Sequence, residues 1–296
     1  MSTATQFATD HDPDRQAPMP FQAADDYART VMAWARETPP SGIEVRSDMT
    51  YGEHRLQRYN VFSPAGARSA PVLVCWHGGG WTNGYRDYIS FMAPQVTALG
   101  CVLVAPSYRL APEARLPAAF EDALAALAHI SQNAARFGGD GQRIYLTGHS
   151  AGAHLAALVA LRPIERARAG VPEVAIRGCL PISGIMDLHH PAPIPGSLED
   201  RVYSTVLSDP LLDAVMSPIC WTAGNTLPFD LSFGEYDSER VQRSNRRMAE
   251  LLKLQQGSVA LTMRVGQNHF ETHTSLKNPD HPWYASLKKM MKQTAP

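Results

Sequence analysis

Short runs of β-branched and other apolar residues recur along this chain, separated by segments with helical periodicity. Residues 71–76, 101–106, 143–147, 174–182 and 228–233 place apolar side chains at consecutive positions, the signature of strands buried on both faces. Between them, 88–98, 117–135, 151–161 and 238–256 read as helices, and 259–265 and 283–292 add a last strand and a last helix. Upstream, Tyr27, Val31, Met32 and Trp34 form an apolar face over 21–38, stopped by Pro39-Pro40. Residues 43–50 and 55–62 alternate apolar and polar positions, as expected of a β-hairpin. Strands alternating with helices predict an α/β fold in which a mainly parallel sheet carries helices on both faces.

One stretch interrupts the rhythm. Residues 185–227 are rich in Pro, Asp, Ser and His and hold only short helical pieces, such as 198–207. A long insertion late in an α/β sheet belongs beside the carboxyl ends of the strands, where with the N-terminal helix it forms a small cap. Residues 1–20 are polar and read as a flexible tail, leaving 21–296 as one domain.

Composition narrows the partners. The 296 residues carry 27 Lys and Arg against 28 Asp and Glu, a net charge of −1, so no basic surplus points to nucleic acid or anionic lipid. The N-terminus lacks an apolar signal core, and no apolar run reaches the length of a membrane span. Cys75, Cys101, Cys179 and Cys220 are widely spaced without a C-x-x-C pair, which speaks against a disulfide framework and for a cytoplasmic location.

The chemistry concentrates in two glycine motifs and two loops. Gly148-His149-Ser150-Ala151-Gly152 lies between a strand and an Ala/Leu-rich helix, the setting of an elbow that exposes a serine hydroxyl. His77-Gly78-Gly79-Gly80-Trp81 follows an earlier strand, and its backbone N–H groups can meet an oxygen that becomes negative during acyl transfer. A phosphate loop is the competing reading, but it lacks the Lys-Ser/Thr ending. An activated serine needs a base, and the base needs an orienting acid. Strand 228–233 runs into Gly234-Glu235-Tyr236-Asp237, and strand 259–265 runs into Gly266-Gln267-Asn268-His269. His269 is the expected base and Asp237 the expected acid, with Glu235 as the competing acid and a helix N-cap as the competing role for Asp237.

The other histidines have humbler expected places. His149 and His154 belong to the elbow and its helix, His189 and His190 to the cap, and His273 to the surface. His269, Glu271 and His273 look like metal ligands, but the spacing is not that of a helical H-E-x-x-H site. No metal or cofactor is expected. Trp81 and His149 are assigned to the substrate pocket, against simple core packing.

These motifs, with Tyr108-Arg109-Leu110-Ala111-Pro112-Glu113 and Leu116-Pro117-Ala118-Ala119, resemble the hormone-sensitive-lipase-like branch of the α/β-hydrolases from about Pro71 to Phe270. Gly80-Trp81, Phe91-Met92-Ala93, the run from Gly148 to Ala157, Ser183 to Leu188, Gly234 to Glu239 and Asn268 to Glu271 resemble the kynurenine formamidase (arylformamidase)-like members. The resemblance implies cofactor-free hydrolysis of a small ester or aryl formamide through Ser150, with oxyanion donors at the N–H groups of Gly79, Gly80 and Ala151. The small molecule is the only partner implied, with no nucleic acid or membrane. Esterase and formamidase both stay open, as do an acyltransferase using the same acyl-enzyme and a ligand-binding protein on the same fold.

Overall fold

The computed structural model describes residues 16, 19, 21–37 and 39–294. Apart from Gln16 and Met19, the expected N-terminal tail lies outside the described residues. Helix α1 (Gln22–Ala35) is followed by the antiparallel pair β1 (Ile43–Thr50) and β2 (Arg58–Pro64). Then come β3 (Ala70–Trp76), α2 (Ala93–Ala98), β4 (Val102–Pro106), α3 (Ala118–Asn133) and β5 (Gly139–His149). Helices α4 (Ala151–Ala160) and α5 (Pro163–Arg168) lead to β6 (Ile176–Ile182), and α6 (Leu198–Arg201) lies in the long insertion. The chain closes with β7 (Phe229–Tyr236), α7 (Glu239–Lys253), β8 (Val259–Asn268), α8 (Glu271–Thr274) and α9 (Pro282–Gln293).

Among the described residues eight strands form one sheet in the order β1-β2-β4-β3-β5-β6-β7-β8. From β4 to β8 every neighbouring pair is parallel; β2 joins β4 antiparallel. The chain leaves β3 for β4 on one side and returns to place β5 on the other. Connections therefore diverge between β3 and β5, and the crevice beyond their carboxyl ends is where ligands of open α/β sheets bind.

Strand alternation divides the core between the two sheet faces. Val72, Val74 and Trp76 pack with Ala123, Leu127 and Leu155 of α3 and α4. Leu73 and Cys75 pack with Val31 of α1, Val96 of α2 and Leu287 of α9. Both sets are almost fully buried, which explains the consecutive apolar positions in the strands.

Several elements differ in their bounds from the sequence reading, two of them near the site. Residues 88–98 are not one helix: a 3₁₀ stretch (Arg86–Met92) precedes α2, and Pro94, which has no N–H to continue a helix, sits in the first turn of a new one. Strand β7 continues through Gly234 to Tyr236, because pairing with β8 persists past a bulge.

Gly152 shows how tightly β3 and the start of α4 approach. A Cβ there would stand 2.0 Å from the Trp76 carbonyl oxygen and 2.5 Å from that of His77, both backbone atoms. Gly152→Ala is therefore expected to cost about 3 kcal/mol of stability, at the upper end of overpacking penalties. Urea unfolding measures it, and an unchanged midpoint would contradict this packing.

Candidate active site

Ser150 occupies the turn between β5 and α4 with φ 56° and ψ −118°, a conformation that L-residues other than glycine rarely adopt. Its N–H donates to the Ile182 carbonyl (3.0 Å) on β6, and its carbonyl accepts from His154 N–H in the first turn of α4. These bonds hold the strained turn from both sides and turn the hydroxyl out over the sheet edge. The residue is 7% exposed, enough for its oxygen to reach the cavity described below.

Ser150 Oγ lies 2.8 Å from His269 Nε2, a hydroxyl donating to a ring nitrogen. His269 comes at the end of β8, and its Nδ1–H donates to Asp237 Oδ1 at 2.5 Å. Asp237 follows β7 directly, with its side chain wholly buried. Its second oxygen accepts from Ser183 Oγ (2.6 Å) and Gly234 N–H (2.7 Å). Burial pushes the Asp237 carboxyl up, but the hydrogen bond and charge of His269, then Ser183 and Gly234, outweigh it and leave the group below its ordinary value. Glu235 points elsewhere and accepts the Gly266 N–H (2.8 Å). The N-cap of α7 is Ser238, whose hydroxyl accepts from Val241 N–H, so Asp237 is not engaged as a cap.

The glycine loop packs against this turn. A Cβ on Gly78 would sit 3.3 Å from Ser150 Cβ, and Gly79 and Gly80, with φ of 124° and 60°, follow at the cavity wall. Ala151 is the first residue of α4, where N–H groups have no partner within the helix. Ser150, His269, Gly79, Gly80, Trp81 and His149 all line one cavity of about 750 Å³. Its far walls come from α1, through Tyr27 and Met32, and from Leu198, Val202 and Val206 at and after α6.

The sequence profile of the alpha/beta hydrolase fold matches residues 73–271, two thirds of the chain. This chain belongs to the α/β-hydrolase fold family. Esterase LipQ of Mycobacterium tuberculosis is 31% identical over 220 residues, 70% of this chain and 52% of that protein. Carboxylesterase NlhH of the same organism is 36% identical over 151 residues, 48% of this chain and 47% of that one. The chain thus spans about half the length of these relatives. Kynurenine formamidase of Danio rerio is 28% identical over 196 residues, 65% of this chain and 61% of that one. Among solved structures, an esterase of Pyrobaculum calidifontis has the same fold, with a TM-score of 0.74 at 23% identity over 92% of this chain and 93% of the other.

Within this α/β-hydrolase the histidines around Ser150 form a buried layer. His149 Nε2–H donates to the His269 carbonyl (2.8 Å), and its ring stacks on His273 at 4.9 Å with 7° between planes. His273 does not reach the surface as expected. It is fully buried because Tyr27 of α1 closes over it, hydroxyl to Nδ1 at 2.8 Å, with the Phe91 ring on its edge. Burial pushes His273 down to about 3 and His149 well below the ordinary imidazole value. Both are neutral at working pH. Trp81 lines the cavity, and its Nε1–H donates to His154 Nδ1 (3.3 Å) in the core. His189, exposed and paired with Asp213, is not in the cavity wall. The other members of the metal-like cluster are occupied otherwise, since Glu271 accepts the Asn268 N–H (2.8 Å).

Ser183 escaped the sequence reading of the site. Its position just after β6, between the strands that carry Ser150 and Asp237, was the available signal. Because the Asp237 pKa is lowered on folding, its bonds stabilise the fold above the ordinary carboxyl value of about 3.9. That stabilisation is lost as pH falls through the lowered value. Ser183→Ala should therefore cost about 1.5–3 kcal/mol at pH 7, the range for a bond to a charged group, and less as the carboxylate becomes protonated. Unfolding free energies across that pH range check this, and a penalty independent of pH would mean that the hydroxyl does not act through Asp237.

Proposed function

We propose that the protein is a serine hydrolase that cleaves a small carboxylic ester or amide through an acyl-enzyme. The observation carrying this reading is the continuous hydrogen-bonded series Ser150–His269–Asp237, opening on a cavity beside the glycine loop. Ser150 Oγ attacks the carbonyl carbon while His269 Nε2 takes the hydroxyl proton. Asp237 keeps Nδ1–H of His269 as the donor and stabilises the imidazolium that forms. The N–H groups of Gly79, Gly80 and Ala151 receive the carbonyl oxygen as it becomes negative. When the intermediate collapses, His269 gives its proton to the departing alcohol or amine. Water then repeats the sequence on the acyl-serine, releasing the acid and restoring Ser150. Helix α1 and residues 185–227 act as the cap, and the chain works in the cytoplasm.

The esterase relatives support an ester substrate. The formamidase relative supports a second reading, hydrolysis of an aryl formamide by the same steps with formate as the acyl product. Parallel assays of short p-nitrophenyl esters, aryl amides and N-formylkynurenine separate the two by kcat/KM.

Ser150→Ala should lower turnover by about 10⁶-fold while the chain stays folded, since members of such a triad act as a unit. A serine-directed phosphonate should label Ser150 in the wild type, and near-normal turnover of the Ala variant would remove the assignment.

Asp237→Asn should lose about 10⁴-fold in turnover through the wrong imidazole tautomer, with Glu235→Gln much milder. The reverse ranking, in well-folded variants, would transfer the role to Glu235. Exhaustive chelation should leave activity intact, because each proposed step is performed by side chains and backbone. Loss on chelation with recovery on adding zinc would replace this mechanism.

A further inference from the structure

The cavity over Ser150 is apolar in its walls yet cationic in its fixed charges. Four arginines line it, Arg29, Arg36, Arg201 and Arg240, against two carboxylates, Asp25 and Glu199. Most of these cations are committed or remote. Arg29 pairs with Asp26, and Arg240 sits 3.6 Å from Glu199 while also donating to the Asp187 carbonyl. Arg36 is exposed at the end of α1.

Arg201 differs from all three. It is half-buried at the end of α6, and its Nη2–H donates to Thr82 Oγ1 at 3.0 Å. Thr82 in turn gives its hydroxyl proton to Asn83 Oδ1 (2.8 Å), so it meets the guanidinium as an acceptor. Its backbone N–H donates to the Gly79 carbonyl (3.1 Å), which ties it to the glycine loop. Arg201 is thus held on the loop that flanks Ser150, facing the cavity, and among the described residues it has no carboxylate partner. One neutral hydroxyl engages one of its five N–H donors. A guanidinium with spare donors in a largely apolar cavity suits a planar anion that can accept two parallel bonds.

We propose that Arg201 receives a carboxylate carried by the substrate, so that the cavity selects anionic esters or amides over their neutral counterparts. The inference rests on the serine-hydrolase reading for the reaction, but not for the binding that it predicts. The carboxylate belongs either to the leaving group or to the acyl half, and two matched ligand pairs distinguish these. One pair is 4-acetoxybenzoate and its methyl ester; the other is phenyl hydrogen adipate and phenyl hexanoate.

Calorimetric binding to the Ser150→Ala chain reads selection without turnover, so a failure of hydrolysis would count against the reaction and not against this contact. In at least one pair the anion should bind about 10- to 100-fold more tightly than its neutral partner, as expected for bonds to a charged group. Arg201→Gln in the same background should bring that ratio close to one, and Arg201→Lys should keep part of it, because charge survives while the paired geometry does not. Absence of preference in both pairs would overturn the proposal. So would a preference that survives Arg201→Gln, or one that Arg36→Gln abolishes instead.

Discussion

The carbonyl oxygen of Trp76 lies where a side chain on residue 152 would begin, and the arrangement beyond the sheet edge depends on that contact. It brings the end of β3 against the first turn of α4, so the glycine loop leaving β3 runs alongside Ser150. A larger residue would push the loop and the serine apart, and with them two walls of the cavity that they share. Register makes the contact possible, since Trp76 pairs with Gly148 across β3 and β5, two residues before Ser150. The divergence of connections at this strand pair leaves a crevice there that no crossover helix fills.

The environment behind the serine is polar in composition but almost without charge. Asp237 is the buried anion, satisfied by three donors, and this permits a carboxylate to remain ionised inside the fold. The surrounding imidazoles of His149, His154 and His273 are neutral because burial disfavours their protonation. A positive charge formed on His269 would meet the fixed carboxylate of Asp237 at hydrogen-bond distance. Under the proposed mechanism this suits a base that gains and loses a proton in each cycle.

Much of this was legible in the sequence, for identifiable reasons. Strands buried on both faces leave consecutive apolar runs, so β3, β4, β5 and β7 could be located without coordinates. Ser150 stands just after such a run and His269 a few residues after the apolar stretch of the edge strand β8, and a residue at a strand end has few places to go. Asp237 was harder, because Glu235 lies two residues away and strand alternation puts both on one side; only the extension of β7 to Tyr236 separates them, leaving Glu235 in the strand and Asp237 just beyond it. The burial of His273 was not legible at all. It depends on α1, some 250 residues away in sequence, delivering Tyr27 to that spot, and no local pattern encodes so distant a contact. The same holds for Ser183, whose role follows from β6 lying between β5 and β7.

Helix α1 forms a wall of the cavity yet contributes no strand to the sheet, and its tie to the layer under His269 is largely the Tyr27–His273 contact with its neighbouring rings. The same helix is also scaffold, because its Val31 and Met32 belong to the core cluster of Leu73 and Cys75 while Tyr27 and Met32 line the cavity. Exchange of α1 between related hydrolases would therefore reshape the cavity wall and one face of the core together, while leaving strand order as it is. Drift at Tyr27 or Met32 would accordingly be constrained twice, once by the cavity that they line and once by the core in which they are buried.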